Sequence, residues 1–180
     1  MTRQVLFVIA LIFLAAFSRL IPHPYNFTAV GAMALFGGAV LKPRALALLI
    51  PYVAMFMTDF IIGFHDNMIA VNLAFGIVAI VGMTVVKKRS IGRIIGGSLL
   101  GSLLFFLITN FAVWLGDPTY PQTISGLIAC YAMALPFYES SIFGNLALNS
   151  VMGDLFYSGI LFTALYWVES RMPDLIHQKV

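Results

Sequence analysis

Hydrophobic runs separated by short polar gaps dominate the chain. Five runs are long enough for a helix of about 20 residues to cross a bilayer. They cover residues 4–21, 45–63, 68–86, 94–115 and 146–168. A shorter run at 28–40, rich in Gly and Ala, predicts a short second helix, and a run at 126–137 fits a re-entrant or interfacial helix better than a span. The pattern predicts an all-α integral membrane protein with six transmembrane helices in a single domain, residues 1–180.

Composition and charge agree with a membrane location. Charged residues make up only 9% of the chain, whereas soluble domains carry about 25%. The net charge of +3 comes from basic residues in the gaps between the runs, which argues against nucleic acid as a partner. With the N-terminus inside, nine of the ten basic residues fall on the inner side and only Arg19 falls outside. The positive-inside rule therefore predicts cytoplasmic termini in a bacterial inner membrane.

Polar side chains within the predicted spans collect in the outer halves of those spans. At 1.5 Å per helical residue, Asp59 and Asn110 lie in the outer third of their helices. Asn149 and Asp154 enter the last span from its outer end, and Arg19 closes the outer end of the first. Because intramembrane charges normally face the bundle interior or a wet cavity, the pattern predicts a pocket that opens to the outside.

Arg19 has two candidate ion-pair partners in this outer half, Asp59 and Asp154, and a bound ligand is a third alternative. One arginine cannot serve two aspartates at separate places. The remaining carboxylate is expected to be protonated, to bind a cation or to meet a ligand.

The first outer connection is the stiff polar stretch "PHPYNFT", residues 22–28. Its prolines end the first helix and hold an extended loop. The loop is expected to present His23, Tyr25 and Asn26 at the mouth of the pocket, and Thr28 is expected to cap the next helix. Close helix contact is predicted at Gly38, part of a small-residue pair in the second run.

Two further candidates, His65 and Trp114, lie in or next to other outer connections. The aromatic residues have an alternative role in the aromatic belt at the membrane surface. The candidate substrate-binding residues are Arg19, His23, Tyr25, Asn26, Asp59, His65, Asn110, Trp114, Asn149 and Asp154.

Sequence signatures of catalysis are absent. The chain has no GxxxxGK[ST], HExxH, GxSxG or CxxC motif and a single cysteine, so neither an enzyme nor a metal or cofactor site is predicted. Asp59 in "MTDF" and Asp154 in "VMGDLF" differ from the two aspartate motifs of intramembrane aspartyl proteases, which argues against that activity.

The run from Arg19 to "DFIIGFH", with its basic turn "GGAVLKPRALAL", resembles the first three helices of the substrate-binding S components of energy-coupling-factor (ECF) vitamin transporters. The whole chain, including "SLLFFLITNFAVW" and "GDLFYSGILF", looks closer to an uncharacterised family of bacterial membrane proteins of this length, itself distantly similar to S components. The S-component resemblance implies a six-helix bundle that captures a vitamin-like solute from outside. It also implies a coupling subunit and ATPases as partners, docked on small residues such as Ala10, Ala15 and Ala16.

These observations lead to two expectations. The first is an uptake protein that binds a small, partly polar solute in an outward-facing pocket. The second is a scaffold protein of the cell envelope, in which Arg19 and the aspartates form a closed ion-pair network without a cavity.

Overall fold

The computed structural model describes residues 3–64, 67–135 and 146–171. Within these residues all regular secondary structure is helical, as predicted. The described residues form seven α-helices: α1 (Arg3–Phe17), α2 (Val30–Val40), α3 (Arg44–Ile62), α4 (Met68–Thr84), α5 (Ile91–Gly116), α6 (Ile124–Met133) and α7 (Leu146–Arg171). A short 3-10 turn, Ser18–Leu20, extends α1.

Among the described residues, four helical segments are long and apolar enough to cross a membrane, which indicates a membrane protein. They are Arg3–Leu20, Arg44–Ile62, Ile91–Gly116 and Ala147–Arg171. The helices α2, α4 and α6 are apolar but shorter. Each predicted hydrophobic run therefore corresponds to one helix, with bounds that differ by a few residues.

The short helix α2 forms the centre of the bundle. Its residues from Val30 to Gly38 are all buried, and it packs against α1, α3, α4, α5 and α7. Eleven residues make a helix of about 16 Å, roughly half of the hydrocarbon thickness. Other helices surround α2, and they bury it from Val30 to Gly38.

Glycines bring α2 close to its neighbours. A Cβ on Gly38 of α2 would collide with the carbonyl of Ala79 in α4, and a Cβ on Gly82 of α4 would collide with the carbonyl of Leu35 in α2. Gly97 of α5 also faces the Leu35 side chain. The close contact predicted at Gly38 therefore occurs, and α4 is the partner.

The two ends of the bundle differ in charge. Gln4 of α1 and Arg89 of the α4–α5 turn both contact Glu169 near the end of α7. We call this the basic end, because most of the described basic residues lie here: Arg3, Lys42, Arg44, Lys87, Lys88, Arg89, Arg93 and Arg171. The opposite end, where α2 and α7 begin, is called the polar end, and Arg19 is its one basic residue in the described chain.

Candidate functional site

A cavity of about 760 Å³ lies at the polar end. Its walls come from the end of α1, the loop before α2, and parts of α4, α5, α6 and α7. The polar lining residues are Arg19, Asn26, Thr28, Asn67, Ser102, Thr109, Asn110 and Ser150. Apolar side chains, among them Phe105 and Phe106, form the rest of the wall. This mixture of a mostly apolar wall with a few polar groups is typical of small-molecule sites, as is the volume.

Arg19 pairs with Asp59 of α3. Its Nη2 lies 2.8 Å from Asp59 Oδ1, and its Nη1 donates a hydrogen bond to Thr58 Oγ1 at 2.7 Å. The Thr58 hydroxyl donates its own proton to the Met55 carbonyl at 2.8 Å, so its oxygen is free to accept from the guanidinium. Of the alternatives for Arg19, the structure selects Asp59.

The ion pair is buried on its acidic side. The Asp59 side chain is 3% exposed and the Arg19 side chain 14%. The second carboxylate oxygen, Asp59 Oδ2, is buried and has no hydrogen-bond partner among the described residues. Asp59 does not line the cavity, but its ion-pair partner Arg19 does.

Asp154 of α7 caps the N-terminus of α2 from another helix. Its Oδ1 accepts from the backbone N–H of Ala32 at 3.1 Å, its Oδ2 accepts from the Ser102 hydroxyl at 2.6 Å, and the N–H of Gly31 faces the same carboxylate. A helix N-terminus leaves N–H groups unpaired and carries partial positive charge, which a carboxylate satisfies.

One expectation about this region stays a prediction and one is wrong. The second aspartate was expected to be protonated, to bind a cation or to meet a ligand; α2 and Ser102 provide its hydrogen-bond partners, and its protonation stays a prediction. Thr28 was expected to cap α2, but the N-cap residue is Ala29, which has no capping side chain, and Asp154 supplies the capping oxygen.

Two glycines make this arrangement possible. A Cβ on Gly31 would collide with the Asp154 carboxylate, and a Cβ on Gly153 would lie 2.9 Å from the backbone nitrogen of Thr28. The glycine before the aspartate in "VMGDLF" lets α7 approach the start of α2 closely. The spacing of these two glycines in the sequence does not predict that they meet at this helix contact.

Ser102 connects Asp154 to the cavity, because it lines the cavity and also donates to the carboxylate. One helical turn earlier, Ser98 donates to Ser158 at 2.9 Å and joins α5 to α7 a second time. Sequence reasoning missed both serines, since serine is common in membrane helices.

Asn110 and Asn26 line the cavity as predicted candidates. Asn110 Nδ2 donates to the carbonyl of Phe106 at 2.9 Å, one turn earlier in α5. Asn26 has a left-handed backbone with a φ of 61°, which asparagine tolerates better than most residues. Asn67, not predicted, bridges the start of α4 to the Thr109 carbonyl of α5 at 3.4 Å.

Three other candidates lie at the polar end but do not line the cavity. Asn149 is buried and donates from Nδ2 to the Tyr25 carbonyl at 2.9 Å, which ties the loop to α7. The Tyr25 side chain is 83% exposed. His23 is exposed and its Nδ1 lies 2.6 Å from the Ile21 carbonyl, which makes Nδ1 the protonated nitrogen because a carbonyl only accepts.

Trp114 anchors the connection between α5 and α6 instead of lining the cavity. Its Nε1 donates to the Pro121 carbonyl at 2.9 Å, and Gln122 donates back to the Trp114 carbonyl at 2.6 Å. In the same connection, hydrogen bonds from the Thr119 side chain and backbone N–H lower the pKa of Asp117. The candidate His65 lies outside the described residues.

Within the described ranges, no group of three His, Cys, Asp or Glu residues is placed to hold a metal ion.

Comparison with known proteins gives one match. No curated protein matches the chain. No solved structure matches it either. Residues 1–175 match DUF6580, described as a family of unknown function. This match covers nearly the whole sequence and agrees with the expected uncharacterised family, and the chain therefore belongs to the DUF6580 family.

Proposed function

We propose that this protein is a substrate-binding membrane subunit for uptake of a small vitamin-like solute, similar to an ECF S component. The observation that carries the proposal is the cavity at the polar end, with polar groups on a largely apolar wall. The protein acts as a binding and uptake component rather than as an enzyme.

The proposed orientation places the polar end outside the bacterial inner membrane. Eight described basic residues lie at the basic end and one at the polar end, and positive charge favours the cytoplasmic side. In this arrangement α1, α2, α3, α4, α5 and α7 are the six crossing helices, α6 is re-entrant or interfacial, and both termini are cytoplasmic. The shortness of α2 is compatible with this because protein surrounds it.

The geometry favours an uncharged solute. Arg19 brings a positive charge to the wall, but Asp59 balances it at 2.8 Å. The remaining polar lining consists of amides and hydroxyls, which recognise hydrogen-bonding groups without net charge. Phe105 and Phe106 offer apolar surface to a ring or chain. We therefore propose a solute with a neutral hydrogen-bonding head and an apolar part.

Docking to a coupling subunit and ATPases has less support than solute binding. The small-residue face implied for α1 comprises Ala10, Ala15 and Ala16, but Ala15 and Ala16 are buried in the bundle core. Only Ala10 is exposed. We therefore propose that the protein can also act without a coupling subunit and ATPases.

The scaffold alternative predicted an ion-pair network without a cavity. The Arg19–Asp59 pair agrees with that prediction, but Asp154 belongs to a separate hydrogen-bond network. The cavity of about 760 Å³ distinguishes the solute-binding hypothesis from the scaffold hypothesis, because a purely structural ion-pair network does not require a cavity. This observation favours solute binding.

Native mass spectrometry of protein purified in detergent from cells grown in rich medium tests the proposal. Asn110→Leu and Asn72→Leu form a matched pair, because both amides donate to a carbonyl one turn earlier, at 2.9 and 2.8 Å. Of the two, Asn110 lines the cavity. We expect a one-to-one small-molecule adduct on the wild type and Asn72→Leu, and its loss in Asn110→Leu. A bare wild-type mass, or an adduct that persists in Asn110→Leu, would contradict the proposal.

A further inference from the structure

A second cavity, of about 630 Å³, lies at the basic end between the start of α5 and the end of α7. Most of the bundle separates it from the cavity at the polar end. Its charged lining residues are Lys88, Arg89 and Glu169, and its apolar walls include Ile94, Phe162 and Leu165. The solute-binding proposal makes no use of it.

The charges around this cavity favour an anion. Glu169 forms an ion pair with Arg89 at 2.7 Å and balances one positive charge. Lys88 lines the same cavity, Lys87 precedes it in the turn, and Arg93 lies in the first turn of α5. One acidic side chain thus faces several basic ones at this corner of the described structure.

The backbone of the turn adds to this preference. Arg89 has a φ of 47°, a left-handed conformation that is uncommon for a residue other than glycine. Its N–H donates to the Val86 carbonyl at 2.7 Å. Ser90, the N-cap of α5, lines the cavity but makes no side-chain capping bond. The first turn of α5 therefore begins at the cavity wall, and the N–H groups of a helix N-terminus favour a phosphate.

The walls of this cavity extend along apolar helix surfaces. Ile91 is 78% exposed and Tyr166 is 72% exposed, while Phe162 is largely buried at the base. A free phosphate would use the basic mouth but not these walls. An occupant that uses both has an anionic head and a hydrocarbon chain.

We propose that this cavity binds one anionic phospholipid. The phosphate lies at Lys88, Arg89 and the start of α5, and an acyl chain packs against Ile94 and Phe162. Basic pockets between membrane helices on the cytoplasmic side are suited to such head groups. The site is independent of solute binding at the polar end.

The test titrates delipidated protein with phosphatidylglycerol or phosphatidylcholine of identical acyl chains and counts bound lipid by native mass spectrometry. We expect the first phosphatidylglycerol to bind more tightly than phosphatidylcholine. Removing each positive charge should weaken it about fivefold, equivalent to about 1 kcal/mol. Lys88→Gln/Arg89→Gln should therefore lose the preference. Lys42→Gln/Arg44→Gln, which removes two exposed charges of the same end outside the cavity, should keep it.

A third variant separates a lipid from a free anion. Thr163 lines the cavity and is exposed, so Thr163→Trp fills the groove and leaves every charge in place. We expect Thr163→Trp to lose the bound phosphatidylglycerol, and 10-fold excess inorganic phosphate not to displace it from the wild type. The proposal would be overturned if the two lipids bound equally or if both double variants lost binding equally. It would also be overturned if Thr163→Trp bound phosphatidylglycerol as the wild type does, or if phosphate displaced the lipid.

Discussion

Asp59 and Asp154 are both buried carboxylates, but different groups stabilise them. Asp59 faces the guanidinium of Arg19, whereas Asp154 accepts from Ser102 and from the backbone N–H of Ala32. Hydropathy predicts that both aspartates lie within helical spans, because the position of a span depends only on neighbouring residues in the sequence. Hydropathy does not predict the partners of the two aspartates, because these partners lie on other helices and depend on how the helices pack.

The Arg19–Asp59 pair is open to a double-mutant test. Arg19→Met alone leaves the Asp59 charge buried without its cation, and such a change costs about 3–5 kcal/mol of unfolding free energy. Replacing both partners, as Arg19→Met/Asp59→Leu, should cost far less, because no unpaired charge remains. Chemical unfolding in detergent, followed by tryptophan fluorescence, measures the difference. A double variant as unstable as the sum of both single variants would show that the two side chains do not interact.

At the scale of the helices, local signals predicted the bounds well. Thr123 caps α6 by accepting from the Gly126 N–H at 3.1 Å, so the helix begins two residues before the predicted run at 126–137. Helix α7 continues beyond its last predicted residue to Arg171, and Glu169 in this extension contacts Arg89. The crossing of α7 over the start of α2 could not be predicted, because it depends on glycines 122 positions apart, Gly31 and Gly153.

Gly31→Ala tests that crossing. Its new methyl group would collide with the Asp154 carboxylate, and overpacking of this kind costs about 1–3 kcal/mol. Gly96→Ala in α5 is the control, because nothing lies within 4 Å of its added Cβ and alanine favours a helix by about 0.5–1 kcal/mol. Thermal unfolding in detergent should show Gly31→Ala less stable than wild type and Gly96→Ala equal to it or more stable. Equal melting temperatures for both variants would place Asp154 elsewhere.

At the scale of the whole molecule, the two ends of the bundle have separate roles in this account. The polar end contains the proposed solute cavity, and the basic end contains the proposed lipid site. The uneven distribution of charge was visible in the sequence, since it depends on which gaps carry basic residues. The cavity was predicted only as a general outer pocket. Its walls include Asn67, Ser102 and Thr109, which have no distinctive sequence pattern.

Orientation is tested by cysteine labelling in intact cells, with Cys130, the single native cysteine, replaced by serine. Tyr25→Cys at the polar end is highly exposed and should react with a membrane-impermeant maleimide. Arg44→Cys at the basic end is also exposed and should react only after permeabilisation. The opposite pattern would invert the proposed topology.

The most direct test of solute binding at the polar end is calorimetry with the solute released from the wild-type protein. Ala147 lines the cavity, whereas its neighbour Leu148 does not and is 42% exposed. Ala147→Trp therefore fills the cavity, and Leu148→Trp adds the same ring outside it. We predict one site per chain in the wild type and Leu148→Trp, with affinity at least about 10-fold weaker in Ala147→Trp, a loss of about 1.4 kcal/mol. Unchanged affinity in Ala147→Trp would contradict the account and place the solute outside this cavity.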